Sequence, residues 1–174
     1  MKVLIIGAAG RVGSAALAAC LHKNDTVTAF LRFPSKLPPE LRDHPSLSVI
    51  QGDVTSHGNM VEALRDQDAV IQCAAYCSTS PFGASDSERV VRCIIEAIKE
   101  VQSTRPRKMR PIKFWVMSGQ VLVDIPGYRG KTEADVFPVH PKHYKDYEFL
   151  QKDGFLSLGK IDSGEVRVVL YQVR

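Results

Sequence analysis

Apolar runs and polar breaks alternate regularly along the first two thirds of the chain. Val3 to Ile6 is short, wholly apolar and rich in β-branched residues, the pattern of a strand buried on both faces of a parallel sheet. Ser14 to Lys23 is rich in Ala and Leu and reads as a helix. Thr26 to Leu31 predicts a second strand, followed by a Pro-rich loop over Phe33 to Pro39 and one helical turn around Glu40 to Asp43. Leu47 to Gln51 predicts a third strand, closed by Gly52-Asp53-Val54. Gly58 to Asp66 is helical, with Met60, Val61 and Leu64 on one face. Asp68 to Cys73 is a fourth strand and Ala74 to Ser85 a loop of small residues. Asp86 to Gln102 is a longer helix whose apolar positions include Val90, Val91, Ile94, Ile95, Ile98 and Val101. Pro111 to Ser118 is a fifth strand.

Strand and helix therefore alternate with short connections. That pattern predicts an α/β fold, a Rossmann-type doubly wound parallel sheet between two helical layers, with right-handed crossovers. After Ser118 the pattern weakens. Gly119 to Pro141 is irregular, with Pro126, Gly127, Gly130 and Pro138. His143 to Lys152 could form a helix, and Glu165 to Val173 alternates like a strand. The expectation is one domain over residues 1–174, with 119–174 an irregular segment on the substrate side.

Composition narrows the class. Of 174 residues, 44% are hydrophobic and 24% charged, enough for one folded core and too apolar for disorder. A net charge of +4 suits an anionic small ligand. It is too weak to argue for nucleic acid, and the basic stretch Ser103 to Arg110 carries no interleaved aromatic residues. The four cysteines form no Cys-x-x-Cys pair and read as reduced thiols; Cys77 alone falls in a loop. Leu17-Ala18-Ala19-Cys20 imitates a lipoprotein cleavage site, but Arg11 and three glycines interrupt any signal-like apolar run. Asn24-Asp25-Thr26 is a sequon read as unused, and no segment approaches the ~20 apolar residues of a membrane span. The expectation is a soluble, cytoplasmic protein without nucleic-acid or membrane partners.

The chemistry begins where the first strand ends. Gly7-Ala8-Ala9-Gly10-Arg11-Val12-Gly13 places three glycines at intervals of three between a strand and a helix. The first permits a tight turn, the second lets backbone amides approach a pyrophosphate, and the third lets the helix pack closely on the strand. An NAD-selective site ends its second strand with Asp or Glu, which binds the ribose 2′-hydroxyl. Here Arg32 takes that place, with Ser35 and Lys36 close behind. These groups suit a 2′-phosphate through charge-assisted hydrogen bonds, so the expected cofactor is NADP(H). Asp53 and Val54 follow the third strand, where they can meet an adenine. His140 and His143, near Asp146, could in principle hold a metal, but Pro141 between them argues against it. No Gly-x-Ser-x-Gly elbow is present.

The glycine loop, Leu31-Arg32-Phe33-Pro34-Ser35-Lys36-Leu37-Pro38, Gly52-Asp53-Val54 and Asp68-Ala69-Val70-Ile71 together resemble the atypical short-chain dehydrogenase/reductases. More narrowly, they resemble the NmrA-like and biliverdin-reductase-B (flavin reductase) branch. The resemblance covers residues 1 to about 118 well and 140 to 154 loosely. It implies a pyrophosphate on Gly7, Ala9, Gly10, Arg11 and Val12, a 2′-phosphate at Arg32, Ser35 and Lys36, and an adenine by Asp53 and Val54. Ala74 and Ala75 would line the ribose and nicotinamide side. Ser118 matches the family serine near the nicotinamide, and His143 loosely matches a histidine bordering the substrate pocket.

Two departures qualify what the family pattern implies. The Tyr-x-x-x-Lys pair that supplies the proton in classical members is absent; Tyr128 and Lys131 are three apart in a Pro/Gly-rich loop. After Gly154 the sequence leaves the family pattern, so the substrate side reads as variant or truncated. The first expectation is an NADPH-dependent oxidoreductase acting on a small planar or carbonyl acceptor, because the cofactor carries the hard chemistry. The alternative is a non-catalytic cofactor-binding sensor or scaffold that docks a protein partner.

Overall fold

The computed structural model describes residues 1–74, 77–79, 82–106, 108–116 and 169–171. The first strand, β1 (Lys2–Ile6), lies at the middle of a six-stranded sheet. On one side come β2 (Thr26–Leu31) and β3 (Leu47–Gln51), all parallel to β1. On the other come β4 (Ala69–Gln72) and β7 (Lys113–Val116), also parallel. A last short strand, β8 (Val169–Tyr171), runs antiparallel along β7. Sheet order is therefore β3-β2-β1-β4-β7-β8. The chain turns back across the sheet between β3 and β4, so the switch in strand order falls at β1 and β4.

The central strands bury both of their faces. Leu4 and Ile6 pack with Phe30, Val70, Phe114 and Val116 on one side. Val3 and Ile5 pack with Val27, Ala29 and Leu31 on the other. This two-residue alternation within an unbroken apolar run is what a parallel sheet covered on both faces requires. Helices α3 (His57–Leu64) and α4 (Ser87–Thr104) cover the first face with Met60, Leu64, Val91, Ile94 and Ile98. Helix α1 (Arg11–His22) covers the second with Leu17 and Leu21. Leu37, just after a 3₁₀ turn (Pro34–Lys36), joins the same core ahead of the one-turn helix α2 (Pro39–Arg42). The three-layer α/β architecture is the one the sequence predicts.

Three details differ from the sequence reading. Helix α1 starts at Arg11, three residues ahead of Ser14. It begins as soon as the Gly10 amide closes on the Gly7 carbonyl at 2.9 Å, and it takes in Gly13 despite that residue's low helix propensity. The span read as a loop after β4 contains a short antiparallel hairpin, β5 (Cys77–Thr79) and β6 (Phe82–Ser85). The final strand joins an otherwise parallel sheet in the opposite direction. The irregular span 119–141 and the helix expected over 143–152 lie outside the described residues.

At the opposite end of the sheet, Arg105 fastens the end of α4 to the start of β4. Its Nη1 donates to the Gln67 carbonyl at 2.7 Å, and Nη2 lies 3.7 Å from the Asp68 carboxylate. This leaves the carboxyl ends of the strands as the face where loops converge.

Candidate functional site

Four loops meet at the carboxyl ends of β1, β2, β3 and β4 and enclose a cleft of about 380 Å³. Ile6, Gly7, Ala9 and Gly10 line it from β1. Phe30, Leu31, Arg32, Phe33 and Lys36 line it from β2, Gly52 and Val54 from β3, and Cys73 and Ala74 from β4. An open α/β sheet presents such a crevice where the strand order switches.

The floor is set by close backbone approach. Gly7 has φ +80°, a conformation that favours glycine, and a Cβ there would come 2.7 Å from the Ala74 nitrogen. A Cβ on Gly13 would come 2.0 Å from the Gly7 carbonyl oxygen, so the first turn of α1 rests directly on the glycine turn. The start of α1 is open to an external anion. Its N-cap, Gly10, brings no side chain to the first amides, and the first turn holds no acidic residue. The partial positive charge of those amides is therefore left uncompensated by the helix itself.

The loop after β2 presents two cations to the same cleft. Arg32 and Lys36 are both exposed lining residues, and the Lys36 ammonium lies 5.1 Å from the centroid of the Phe33 ring. Two side chains hold this loop from behind. Arg42 donates from Nε to the Leu37 carbonyl at 2.9 Å and from Nη2 to the Ser35 carbonyl at 2.6 Å. Gln51 donates to the Arg32 carbonyl at 3.2 Å. The loop after β3 is held by its own aspartate. One Asp53 carboxylate oxygen accepts from both the amide and the hydroxyl of Thr55, each at 2.8 Å. Those bonds, the backbone one first, hold the Asp53 carboxyl below the usual carboxylate range, with Arg32 and Arg89 adding attraction. On the β4 side burial pushes the Cys73 thiol up to about 11.

The structure therefore brings Gly7, Ala9, Gly10, Arg32, Lys36, Val54 and Ala74 to one cleft. Arg11, Val12, Ser35 and Asp53 stand beside it and do not line it. Arg11 and Val12 are the first two residues of α1, with exposed side chains, and their amides belong to its uncapped first turn. Ser35 turns within the 3₁₀ segment, where its carbonyl serves Arg42. Ala75, Ser118 and His143 lie outside the described residues, as do His140 and Asp146. Among the described residues no cluster of His, Cys, Asp or Glu could hold a metal. Sequence reasoning missed Ile6, Phe30, Leu31, Phe33, Gly52 and Cys73. Each sits at or just beyond the carboxyl end of a parallel strand, and that position was the available signal.

Comparison with known proteins defines the ligand class. A family described as NAD(P)H-binding matches residues 7–106, more than half of the chain. The chain belongs to this NAD(P)H-binding family. A 3 beta-hydroxysteroid dehydrogenase/Delta 5-->4-isomerase of Mycobacterium tuberculosis is 36% identical over 74 residues, 42% of this chain and 19% of that enzyme. The chain thus matches about a fifth of the length of such curated relatives. An epimerase-like protein of Bacteroides thetaiotaomicron superposes with a TM-score of 0.61 at 26% identity, covering 87% of this chain and 65% of the other. A short-chain dehydrogenase/reductase of Veillonella parvula superposes with a TM-score of 0.61 at 20% identity over 90% of this chain and 64% of its own, a likeness of fold.

The cleft fits an NAD(P)H ligand of this family on its own chemistry. It combines an uncapped helix start, a glycine floor with no side chains of its own, and exposed cations on one flank. No helix among the described residues is long and apolar enough to cross a membrane.

Proposed function

We propose that this chain is an NADP(H)-binding oxidoreductase of the atypical short-chain dehydrogenase/reductase type, in the NmrA-like and biliverdin-reductase-B branch. The observation that carries the reading is the pairing of Arg32 and Lys36 with the glycine turn around a single cleft. The pyrophosphate rests on the amides at the start of α1, and the 2′-phosphate meets Arg32 and Lys36. Ser35 contributes from the same turn, and the adenine lies against Val54 and the Asp53 loop. Ala74, and by the sequence resemblance Ala75, would line the ribose and nicotinamide side.

NADPH supplies the hydride to a small planar or carbonyl acceptor. The chain's own residues bind and orient it. Ser118 and His143 are the proposed acceptor-side groups, on the strength of the sequence resemblance. The absence of a Tyr-x-x-x-Lys pair favours an acceptor that needs little proton donation, such as a flavin or quinone. The same absence supports a second reading, a cofactor-responsive sensor that docks a protein partner without turnover. We place the protein in the cytoplasm, without nucleic-acid or membrane partners.

The test is a fluorescence titration of the purified chain with NADPH and NADH, followed by turnover assays with flavin, quinone and aldehyde acceptors. Preferential NADPH binding with oxidation by one acceptor is expected. NADPH binding without turnover on any of them would move the assignment to the sensor.

A further inference from the structure

The described residues hold one buried side-chain amide whose two polar ends are both spent on a single neighbour at the cleft. Gln72, the last residue of β4, is 3% exposed. Its Nε2 donates to the Ala74 carbonyl at 2.6 Å, and its Oε1 accepts from the Ala74 amide at 2.8 Å. Ala74 lines the cleft, and its nitrogen stands where a Cβ on Gly7 would collide. The residue between them is pinned separately, because the Cys73 amide donates to the Ile6 carbonyl at 2.9 Å.

We infer that Gln72 is a positioning residue for the nicotinamide half of the cofactor; this rests on the NADP(H) reading above. A chain leaving a strand has free amide and carbonyl groups that seek partners. Gln72 satisfies both groups of Ala74 from within the sheet. It thereby turns this exit into a fixed apolar wall pressed on the glycine turn. Without it, the amide and carbonyl of Ala74 would have to find other partners, and the exit from β4 would move relative to Gly7. The wall lies on the β4 side of β1, whereas Arg32 and Lys36 lie on the β2 side. Gln72 therefore acts on the end of the dinucleotide farthest from the 2′-phosphate.

That geometry separates a positioning role from a general structural one. Gln72→Met keeps the volume and loses both hydrogen bonds, while Gln72→Glu keeps an acceptor for the Ala74 amide. The probes are NADPH and adenosine 2′,5′-bisphosphate, which carries the phosphate and adenine end alone. In Q72M the Kd for NADPH should rise about tenfold, the usual size of a lost hydrogen-bonded contact, and that for the bisphosphate should stay within about twofold. Q72E should show the same selectivity with a smaller loss, and serves if Q72M does not fold. Unchanged NADPH affinity in a folded variant, or proportional loss for both probes, would overturn the inference. Wild-type protein that binds neither probe would instead remove the NADP(H) reading.

Discussion

At the scale of single residues, the site separates groups that read the ligand from groups that hold them. Arg32 is exposed, lines the cleft and occupies the place where an NAD-selective chain carries an acid. Arg32→Asp should weaken NADPH relative to NADH by roughly ten- to a hundredfold, the worth of a charge-assisted contact. Paired titrations read that ratio, and an unchanged ratio would mean Arg32 does not contact the 2′-phosphate. Cys73 makes a different prediction. Its thiol, pushed up to about 11 by burial, is almost wholly protonated at pH 8. Only the thiolate is alkylated, so Cys73 should react with iodoacetamide roughly a hundredfold more slowly than an ordinary exposed thiol. Mass spectrometry after timed alkylation checks this; rapid labelling at Cys73 would show that the cleft is wetter than its packing implies. Arg32 was legible from the sequence because strand ends and charges are written locally. Cys73 and Gln72 were not: the Cys73 amide meets Ile6 only once β1 and β4 pair across more than sixty residues of chain, and the Gln72 bonds to Ala74, though local, matter only because that pairing brings Ala74 against Gly7.

At the scale of elements, the glycine turn and α1 behave as one piece. Replacing Gly13 by Ala inside a helix would ordinarily stabilise it by about 1 kcal/mol. Here the new methyl would sit 2.0 Å from the Gly7 carbonyl oxygen and 2.9 Å from the Ala8 Cα. Both neighbours are main chain, so neither can rotate away. Overpacking typically costs 1–3 kcal/mol, and this contact belongs at the upper end, so G13A should lose about 2 kcal/mol net and bind cofactor poorly. Gly58 in α3 is the control. Nothing lies within 4 Å of a Cβ there, so G58A should gain about 0.5–1 kcal/mol. Urea melts of the two variants test the pair; equal and like-signed changes would refute the packing argument. The sequence showed the glycine spacing and the apolar positions of α3 and α4 correctly because each is a short-range pattern. It placed the start of α1 too late, because low helix propensity at Gly13 is outweighed by a contact that only the folded strand supplies. The hairpin after β4 carries small residues with little periodicity, and so left no local signal.

At the scale of the whole molecule, the apolar core is divided by the sheet, with α3 and α4 on one face and α1 on the other. This division was readable because buried parallel strands are apolar along their length. The edges were less so. At β3, Ser48, Val49 and Gln51 are exposed, and at β7 the free edge is taken by an antiparallel strand from far along the chain. Strand direction there depends on how the chain returns, which alternation of side chains does not encode. The cleft crosses four strands of this sheet, from the loop after β3 to the end of β4. A dinucleotide lying along it would tie both halves of the sheet together, and any ligand that binds only the folded state raises its stability by mass action. At a hundred times Kd the gain is about 2.7 kcal/mol, which for a chain of this size is a rise in melting temperature of about 5–10 °C. NADPH should give the larger shift at equal concentration, because NADH lacks the 2′-phosphate proposed to meet Arg32 and Lys36. That advantage is Coulombic and partly exposed, so it should narrow between about 0.05 and 0.5 M NaCl. Equal shifts for the two cofactors at both salt concentrations would show that the cations beside the cleft do not read the 2′-phosphate.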